Sequence, residues 1–589
     1  MDNQQIAEKL ELIADLLEIR GDVIYKILAY RKAAESLRQL GRDVTQIHKS
    51  SALQEIPGVG KAISEKIQEL LETGSLSFLE ELKTEMPPSL VEWLEVPGLG
   101  PKRVGQIWQA LEITTLDELQ AAAEGQKLRA IDGLGPKTEE NIISGVESLK
   151  KRTSRTRLGD ALPFAKKLLQ TLRELPQVTQ AQAGGSLRRM RETVGDIELL
   201  AASKDPKTVM ETFLNHPRVA KIVSSGDVKS SVSFKGGMRA QLWVHPPERF
   251  GTALQFATGT KDHNVRLREL ALDQGYSLSE RALLRVKDEN ELLFEDERDL
   301  YKTLGLAWIP PELREDRGEI QAAKEGTLPA LIEQRNVISE LHSHSEWSDG
   351  KFSIKEMALG AINRGYEILA VTDHSQSLSI AGGLTGDDLK AQKEEIRRVQ
   401  EELGDQITLL QGIEMEILAD GKLDYPDRVL AELDIVIASL HTSMRQSREK
   451  ATARILRAIQ NPYVDIIGHP TNRLIGKRDP ADLDMDSIFE AAAEQGTALE
   501  VNANPIRLDL SDIYVRRAVQ NGIPISINTD AHAPDEFDYL PFGLATARRG
   551  WASAENVINT WSKKRLLKWL NRNQKKSAMN GSRVHLPFH

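Results

Sequence analysis

ELHSHSEWSDG, residues 340–350, places two imidazoles and a carboxylate around the end of one short apolar run. His342 and His344 are two positions apart, so on a strand they share a face. The arrangement recurs downstream. His374 closes VTDHS, His441 closes ASLHTS, His469 closes IIGHP, and Asp530 and His532 close NTDAH, with Glu414 inside QGIEMEI. A lone histidine at a strand end is usually a satisfied polar residue. Here all six histidines between 336 and 580 sit at such ends, with Asp349, Glu414 and Asp530 in equivalent places, which packing does not explain. Helical stretches alternate with these short runs, the pattern of a β/α fold with a mostly parallel sheet or barrel. Sites assemble at the C-terminal strand ends of such barrels. Imidazoles mixed with carboxylates suit Zn2+, Mn2+ or iron and disfavour an all-oxygen Mg2+ cage.

The rest of the chain narrows the classes. It has 589 residues, enough for three to five domains, and 40% apolar residues, enough for ordinary cores. No apolar run approaches the roughly 20 residues of a membrane span, and the N-terminus reads as an amphipathic helix, so a cytoplasmic protein is expected. With no cysteine, disulfides, thiolate zinc sites and cysteine nucleophiles are excluded. The net charge of −10 argues against nucleic acid, but it hides local excess: residues 151–250 hold 18 Lys and Arg against 9 Asp and Glu. From Lys563 onward there are eight basic residues and no acidic one. Basic stretches in an acidic chain are what phosphate contacts require.

Residues 1–150 read as short helices broken by glycine. IPGVGKAISEKI (56–67), VPGLGPKRVGQI (96–107) and IDGLGPKTEENI (131–142) repeat one pattern, a Gly-apolar-Gly turn opening a helix. Such a turn points free amides outward at the positive helix end. Three copies predict sequence-independent DNA-backbone binding by Gly58, Gly60, Gly98, Gly100, Gly133 and Gly135, with charge from Lys61, Lys102 and Lys137. The third copy has Asp132 where the others have proline, which suits a packing element instead.

These turns, with YKILAYRKAAESL (25–37), resemble the helix-hairpin-helix DNA-end-binding region of family X DNA polymerases. GGSLRRMRETVGDIE (184–198) and RAQLWVHPPERFGTALQFATGTKDHNVRLRELA (239–271) resemble the nucleotidyltransferase palm and thumb entry of that family. The histidine constellation resembles the polymerase and histidinol phosphatase (PHP) domain. The resemblance spans roughly residues 1–575, in the domain order of bacterial family X polymerases fused to PHP.

The resemblance implies a multidomain α and α/β fold. It consists of a DNA-end-binding helical domain at 1–80, fingers at 81–150, a palm at 151–247, a thumb at 248–318, a linker at 319–335, a distorted seven-stranded PHP barrel at 336–575 and a tail at 576–589. It implies up to three Mn2+ or Zn2+ ions on the barrel. His342, His344, Glu414 and Asp530 would hold one, Asp349, His374 and His532 a second, and Glu414, His441 and His469 a third. Arg445 and Arg473, just after ligand strands, would clamp the substrate phosphate. The activity implied is 3′→5′ exonuclease cleavage of gapped, nicked or 3′-recessed DNA, in a repair enzyme expected to act as a monomer.

In the palm, Gly185, Ser186 and Arg189 correspond to the triphosphate grip, and Phe256, Thr258, Gly259 and Asn264 to the positions facing a dNTP. Asp196 and Glu198 match the first two catalytic carboxylates, which would bind Mg2+ or Mn2+, but the third position is Gln241. An amide carries no charge and takes no proton, so polymerisation is expected to be weak or absent. Lys66 matches the family's Schiff-base lysine, but a neighbouring basic position of that pocket is Ala62, which favours a solvated helix lysine. Rival readings are an active gap-filling polymerase with an editing nuclease, and a non-enzymatic DNA-end scaffold.

Overall fold

The computed structural model describes residues 1–572, apart from residues 2, 40–43, 51, 57, 97–98, 153–154 and 445. The expected tail at 576–589 lies outside the described residues. Among the described residues, no helix is long and apolar enough to cross a membrane. The chain divides into two units, residues 1–155 with 316–318, and residues 156–315 with everything from 319 onward.

The first unit is helical. Amphipathic helices such as Lys61–Thr73 and Pro101–Leu111 turn one face inward, burying Ile63, Ile67 and Leu70, and Val104 and Ile107. Residues 1–80 and 81–150, expected as two domains, share one apolar core running from Ile6 through Trp93 to Val146.

The second unit opens with a five-stranded sheet: β1 (Val178–Ala183), β2 (Ile197–Ser203), β3 (Val219–Ser224), β4 (Lys229–Phe234) and β5 (Arg239–His245). Its spatial order is β1-β2-β5-β4-β3, with β2 and β5 parallel and the other pairs antiparallel. The thumb follows, with three short antiparallel strands and a buried charge cluster. Arg314, fully buried, donates from both terminal nitrogens to Glu297, which also receives two bonds from Arg188. The polar stretch expected to be a linker belongs to this core. Helix Glu319–Glu325 buries Ala322 and Ala323, and buried Glu319 lies 2.6 Å from His263 Nδ1. The Glu319 charge looked solvated in the sequence because its partner is 56 residues away.

Seven parallel strands then form a nearly closed barrel in sequential order: β6 (Ser339–Ser343), β7 (Ile368–Val371), β8 (Thr408–Glu416), β9 (Ile435–Ser439), β10 (Ile466–Ile467), β11 (Ala498–Asn502) and β12 (Ile525–Asn528). These runs, rich in Ile, Val, Leu and Ala, are buried on both faces, as parallel strands covered by helices must be. A parallel bridge between Ser343 and Ala531 brings the end of β6 beside the chain just past β12. Helices outside the barrel are capped by their own sequence, as where Ser353 and Glu356 exchange bonds at the start of Ile354–Ile362. The basic C-terminal helix Lys563–Leu570 is amphipathic. Leu566 and Leu570, with Trp561, pack against Leu341, Ile435 and Ile466 of the barrel interior and close its floor.

Candidate metal centre and palm site

The C-terminal strand ends bring the predicted donors together. His342 ends inside β6 and His344 follows it. His374 follows β7, Glu414 lies in β8, His441 follows β9, His469 follows β10, and Asp530 and His532 follow β12. Three groups each place one donor atom per residue within 4.8 Å of the others: His342, His344, Glu414 and Asp530; His344, Asp349, His374 and His532; and His374, Glu414 and His441. Glu414 is the hub. Its Oε2 lies 2.9 Å from His374 Nδ1, and its Oε1 lies 3.2 Å from His441 Nε2 and 2.9 Å from His469 Nε2. The geometry adds His344 to the group around Asp349, and it groups His374 rather than the expected His469 with Glu414 and His441; His469 reaches the centre through Glu414 Oε1.

The donor set fits metal ions. His342 Nε2, His344 Nδ1, both Glu414 oxygens and both His469 ring nitrogens are buried with no hydrogen-bond partner. Buried polar atoms are normally paired, and orphaned ones aimed at each other are costly unless something shares their lone pairs. A second layer orients the rings. His342 Nδ1 lies 2.7 Å from Glu500 Oε1, His441 Nδ1 lies 2.9 Å from Glu416 Oε2, and His532 Nδ1 lies 2.8 Å from the Asp530 carbonyl. With each Nδ1–H donating there, Nε2 is left free to face the centre. Neither Glu500 nor Glu416 was found from sequence: Glu416 lies two residues from Glu414 on β8, on the same face, but Glu500 lies on β11, which carries none of the nine donors.

Electrostatics follow the same layout. Burial disfavours the His374 imidazolium, yet Glu414 and Asp349 push its pKa up to about 10. His441 and His532 rise to about 9 against burial, through Glu414 and Glu416 for the first and Asp349 and Asp530 for the second. His344 goes the other way, down to about 3, through burial and its histidine neighbours. Glu414 and Asp530 are held well below the usual carboxylate range despite burial, by surrounding histidines. Cations would compete with these protons for the same lone pairs. Backbone strain collects here too: His469, Asn472, Leu508 and Asp530 all have positive φ.

Arg445 and Arg473 were expected to clamp a substrate phosphate. Arg473 is tied down, donating to the carbonyls of Arg507 (2.9 Å) and Leu508 and to Glu192 (2.6 Å). A position just after a ligand strand did not reveal that its side chain turns toward the palm. Arg445 lies outside the described residues.

In the palm, β2 and β5 run parallel and pair Glu198 with Gln241. Gln241 Nε2 donates to Asp196 Oδ2 at 2.9 Å, and Arg239 Nε lies 3.8 Å from Asp196 Oδ1. Burial raises the pKa of Glu198, with Arg189 opposing and Asp196 adding to the rise. Gly185 has φ +54°, and a Cβ there would lie 2.3 Å from Glu198 Oε2, so only glycine lets this carboxylate approach. Ser186 is half-buried. Arg189 is occupied by Glu315 (2.8 Å) and the Thr258 carbonyl (2.7 Å). Asn264 donates to Phe256 O at 2.8 Å, its Oδ1 lies beside Gln255, and the Gly259 backbone lies against it. Arg268 sits over the Phe256 ring. Among the described residues, no third carboxylate or histidine joins Asp196 and Glu198 in an ion-holding group.

In the helical unit, Gly60 and Gly100 are the caps of helices Lys61–Thr73 and Pro101–Leu111, with no side chain bonding their first amides. Gly60, Gly100, Gly133 and Gly135 all have open space where a Cβ would stand. Gly58, by contrast, is covered by the Lys32 side chain, and Gly98 lies outside the described residues. Lys61 and Lys102 stand in the first turns of those helices. The third turn is modified by buried Glu139, which binds Arg129 through both oxygens. Lys66 lies over the Phe78 ring at 5.0 Å, with Lys26 at 5.1 Å from the same ring.

Comparison with known proteins defines the class first. The helix-hairpin-helix domain family matches residues 1–76, a SAM-like helix-hairpin-helix tandem 90–148, the DNA polymerase beta thumb 253–315 and the PHP domain 340–504. Along nearly its whole length, the chain is 39% identical over 575 residues to the DNA polymerase/3′-5′ exonuclease PolX of Bacillus subtilis, covering 97% of this chain and 100% of that protein. The chain belongs to the bacterial family X DNA polymerases that carry a C-terminal PHP domain. Two partial relatives mark its halves. Rat DNA polymerase lambda is 26% identical over 343 residues, 53% of this chain and 56% of the rat protein. A probable phosphatase of Caldanaerobacter subterraneus is 32% identical over 210 residues, 33% of this chain and 76% of the phosphatase.

Proposed function

We propose that this chain is a DNA-repair enzyme whose working centre is the PHP barrel, a metal-dependent 3′→5′ exonuclease acting at gapped, nicked or recessed DNA ends. The observation that carries this is the convergence of nine donors on strand ends, with both oxygens of buried Glu414 left without a hydrogen-bond partner. Mn2+ or Zn2+ held there would neutralise and polarise a phosphodiester and acidify the attacking water. The chain supplies the rest. Glu414 directs its two oxygens toward different histidine sets, so it would serve as a ligand together with either set. Glu500 and Glu416 fix the rings of His342 and His441 with Nε2 inward. Asp349, the most exposed donor, lies at the open side where substrate and water enter. No side-chain nucleophile is required. The hairpin amides at Gly60, Gly100, Gly133 and Gly135 would hold the DNA backbone.

In this reading the palm binds DNA and a dNTP weakly if at all productively. Gln241 occupies an Asp196 oxygen that a Mg2+ or Mn2+ ion would need, and it takes no proton from a primer hydroxyl. Arg189 is already satisfied by Glu315. The Bacillus subtilis relative is named for both activities, which keeps an active gap-filling polymerase as the second reading. Primer extension on a one-nucleotide gap, run beside digestion of a 3′-recessed primer with Mn2+, separates them. Digestion with little extension supports the proposal. Robust extension unimproved by Gln241→Asp overturns the palm reading, and a bound but uncut primer overturns the nuclease reading.

A further inference from the structure

Two arginines beside the metal centre converge on one neutral acceptor. Asn472 Oδ1 accepts from Arg507 Nη1 at 2.7 Å and from Arg478 Nη2 at 2.6 Å. The amide is held in that orientation, with Nδ2 donating to Leu440 O and the Asn472 N–H to His469 O. Arg478 Nε also donates to Asn472 O at 2.9 Å. Arg507 Nε lies 3.8 Å from Asp530 Oδ2, so the pair borders the ion-holding group. The nearby Asp509 carboxylate is engaged by the Thr471 N–H and hydroxyl. Among the described residues, the two guanidinium groups thus sit side by side with no carboxylate within hydrogen-bond distance. Like charges so placed repel, and an anion between them relieves the repulsion; paired guanidinium forks suit phosphate oxygens.

The loop carrying Arg507 is fixed from the palm side. Arg473 donates to Arg507 O and Leu508 O while pairing with Glu192. Pro505 packs on Gly159, where a Cβ would come within 2.6 Å of the proline ring. Leu508 holds φ +44°.

Resting on the nuclease reading above, we infer that Arg478 and Arg507, bridged by Asn472, take the DNA phosphate next to the one being cleaved, and that the palm holds this clamp in place through Glu192 and Arg473. The palm then serves the nuclease directly, by positioning its substrate grip.

The test uses full-length protein with Mn2+ and a trinucleotide too short to engage the hairpins, made with ordinary linkages or with a neutral methylphosphonate at the linkage preceding the scissile one. Arg478→Ala and Arg507→Ala are expected to raise both Kd and KM for the ordinary trinucleotide roughly tenfold, with kcat and bound manganese close to wild type. The methylphosphonate is expected to cost wild type a similar factor and the double variant nothing more. Glu192→Gln is expected to raise KM in the same direction with manganese content unchanged. Unchanged Kd in the arginine variants, or a methylphosphonate penalty that persists in the double variant, overturns the clamp. An unchanged KM in Glu192→Gln overturns the palm's part. Wild type that binds but cleaves neither trinucleotide overturns the nuclease reading instead, while the Kd comparison still decides the clamp. Inorganic phosphate competing equally against wild type and the double variant would show that free phosphate binds elsewhere and would count against the pair as an anion site.

Discussion

Gln241 Nε2 donates to Asp196 Oδ2 at 2.9 Å, across the two parallel strands where three carboxylates would be needed for a two-metal polymerase. An amide would neutralise none of the charge of an ion held there and would occupy an oxygen such an ion would use. Replacing Gln241 by Asp restores both a charge and a proton acceptor. Gap-filling with Mg2+ is expected to rise by roughly 10²-fold, the scale of one acid–base group, with exonuclease activity unchanged. Single-nucleotide insertion kinetics check this; no gain would mean that Arg189, held by Glu315, is the limiting defect.

Glu500 joins two ligand strands, taking His342 Nδ1 on Oε1 (2.7 Å) and the His469 amide on Oε2 (2.7 Å). Glu500→Gln retains the shape but disturbs the ring it orients. Metal affinity is expected to fall 10–100-fold, read by titration of apo-protein with Mn2+ and quantified by elemental analysis, with DNA binding by the helical unit preserved.

Glu315 is surrounded by Arg189, Arg191 and Arg549, and Arg549 also reaches Asp512 on the barrel side. Burial works against the Glu315 carboxylate, but Arg549, Arg191 and Arg189 together hold its pKa down to about 2. A depressed carboxylate stabilises the fold above its ordinary value near 4.5 and loses that contribution as pH falls through about 2. Glu315→Gln leaves three cations sharing one buried position and is expected to cost about 3 kcal/mol at pH 7. The gap between wild type and variant should narrow below pH 4.5, as followed by thermal unfolding across pH.

The barrel and the convergence of its histidines and carboxylates were legible because most of these donors sit at or just past the end of a short apolar strand, where strand periodicity fixes the face they share. Gln241 was legible for the same reason: it pairs with Glu198 in register. What escaped depends on distant partners. Glu319 read as part of a polar linker, but it is buried in the thumb against His263. The C-terminal basic helix gave no hint of closing the barrel floor, since Leu566 and Leu570 pack with residues such as Leu341, Ile435 and Ile466 on strands far away in the chain. Arg473 stood in the right place along the chain for a clamp, but its side chain binds Glu192 of the palm.

The central claim is that the histidine and carboxylate cluster cuts DNA from its 3′ end. The direct measurement is digestion of a 5′-labelled, 3′-recessed primer by full-length protein loaded with Mn2+, wild type beside His344→Ala, with bound metal and DNA affinity measured on both. Wild type is expected to shorten the primer stepwise from its 3′ end, and the variant to lose at least about 10²-fold of that activity, with lowered metal content and unchanged DNA affinity. Equal digestion by the two proteins, or a metal-loaded wild type that holds the primer and leaves it intact, would contradict it.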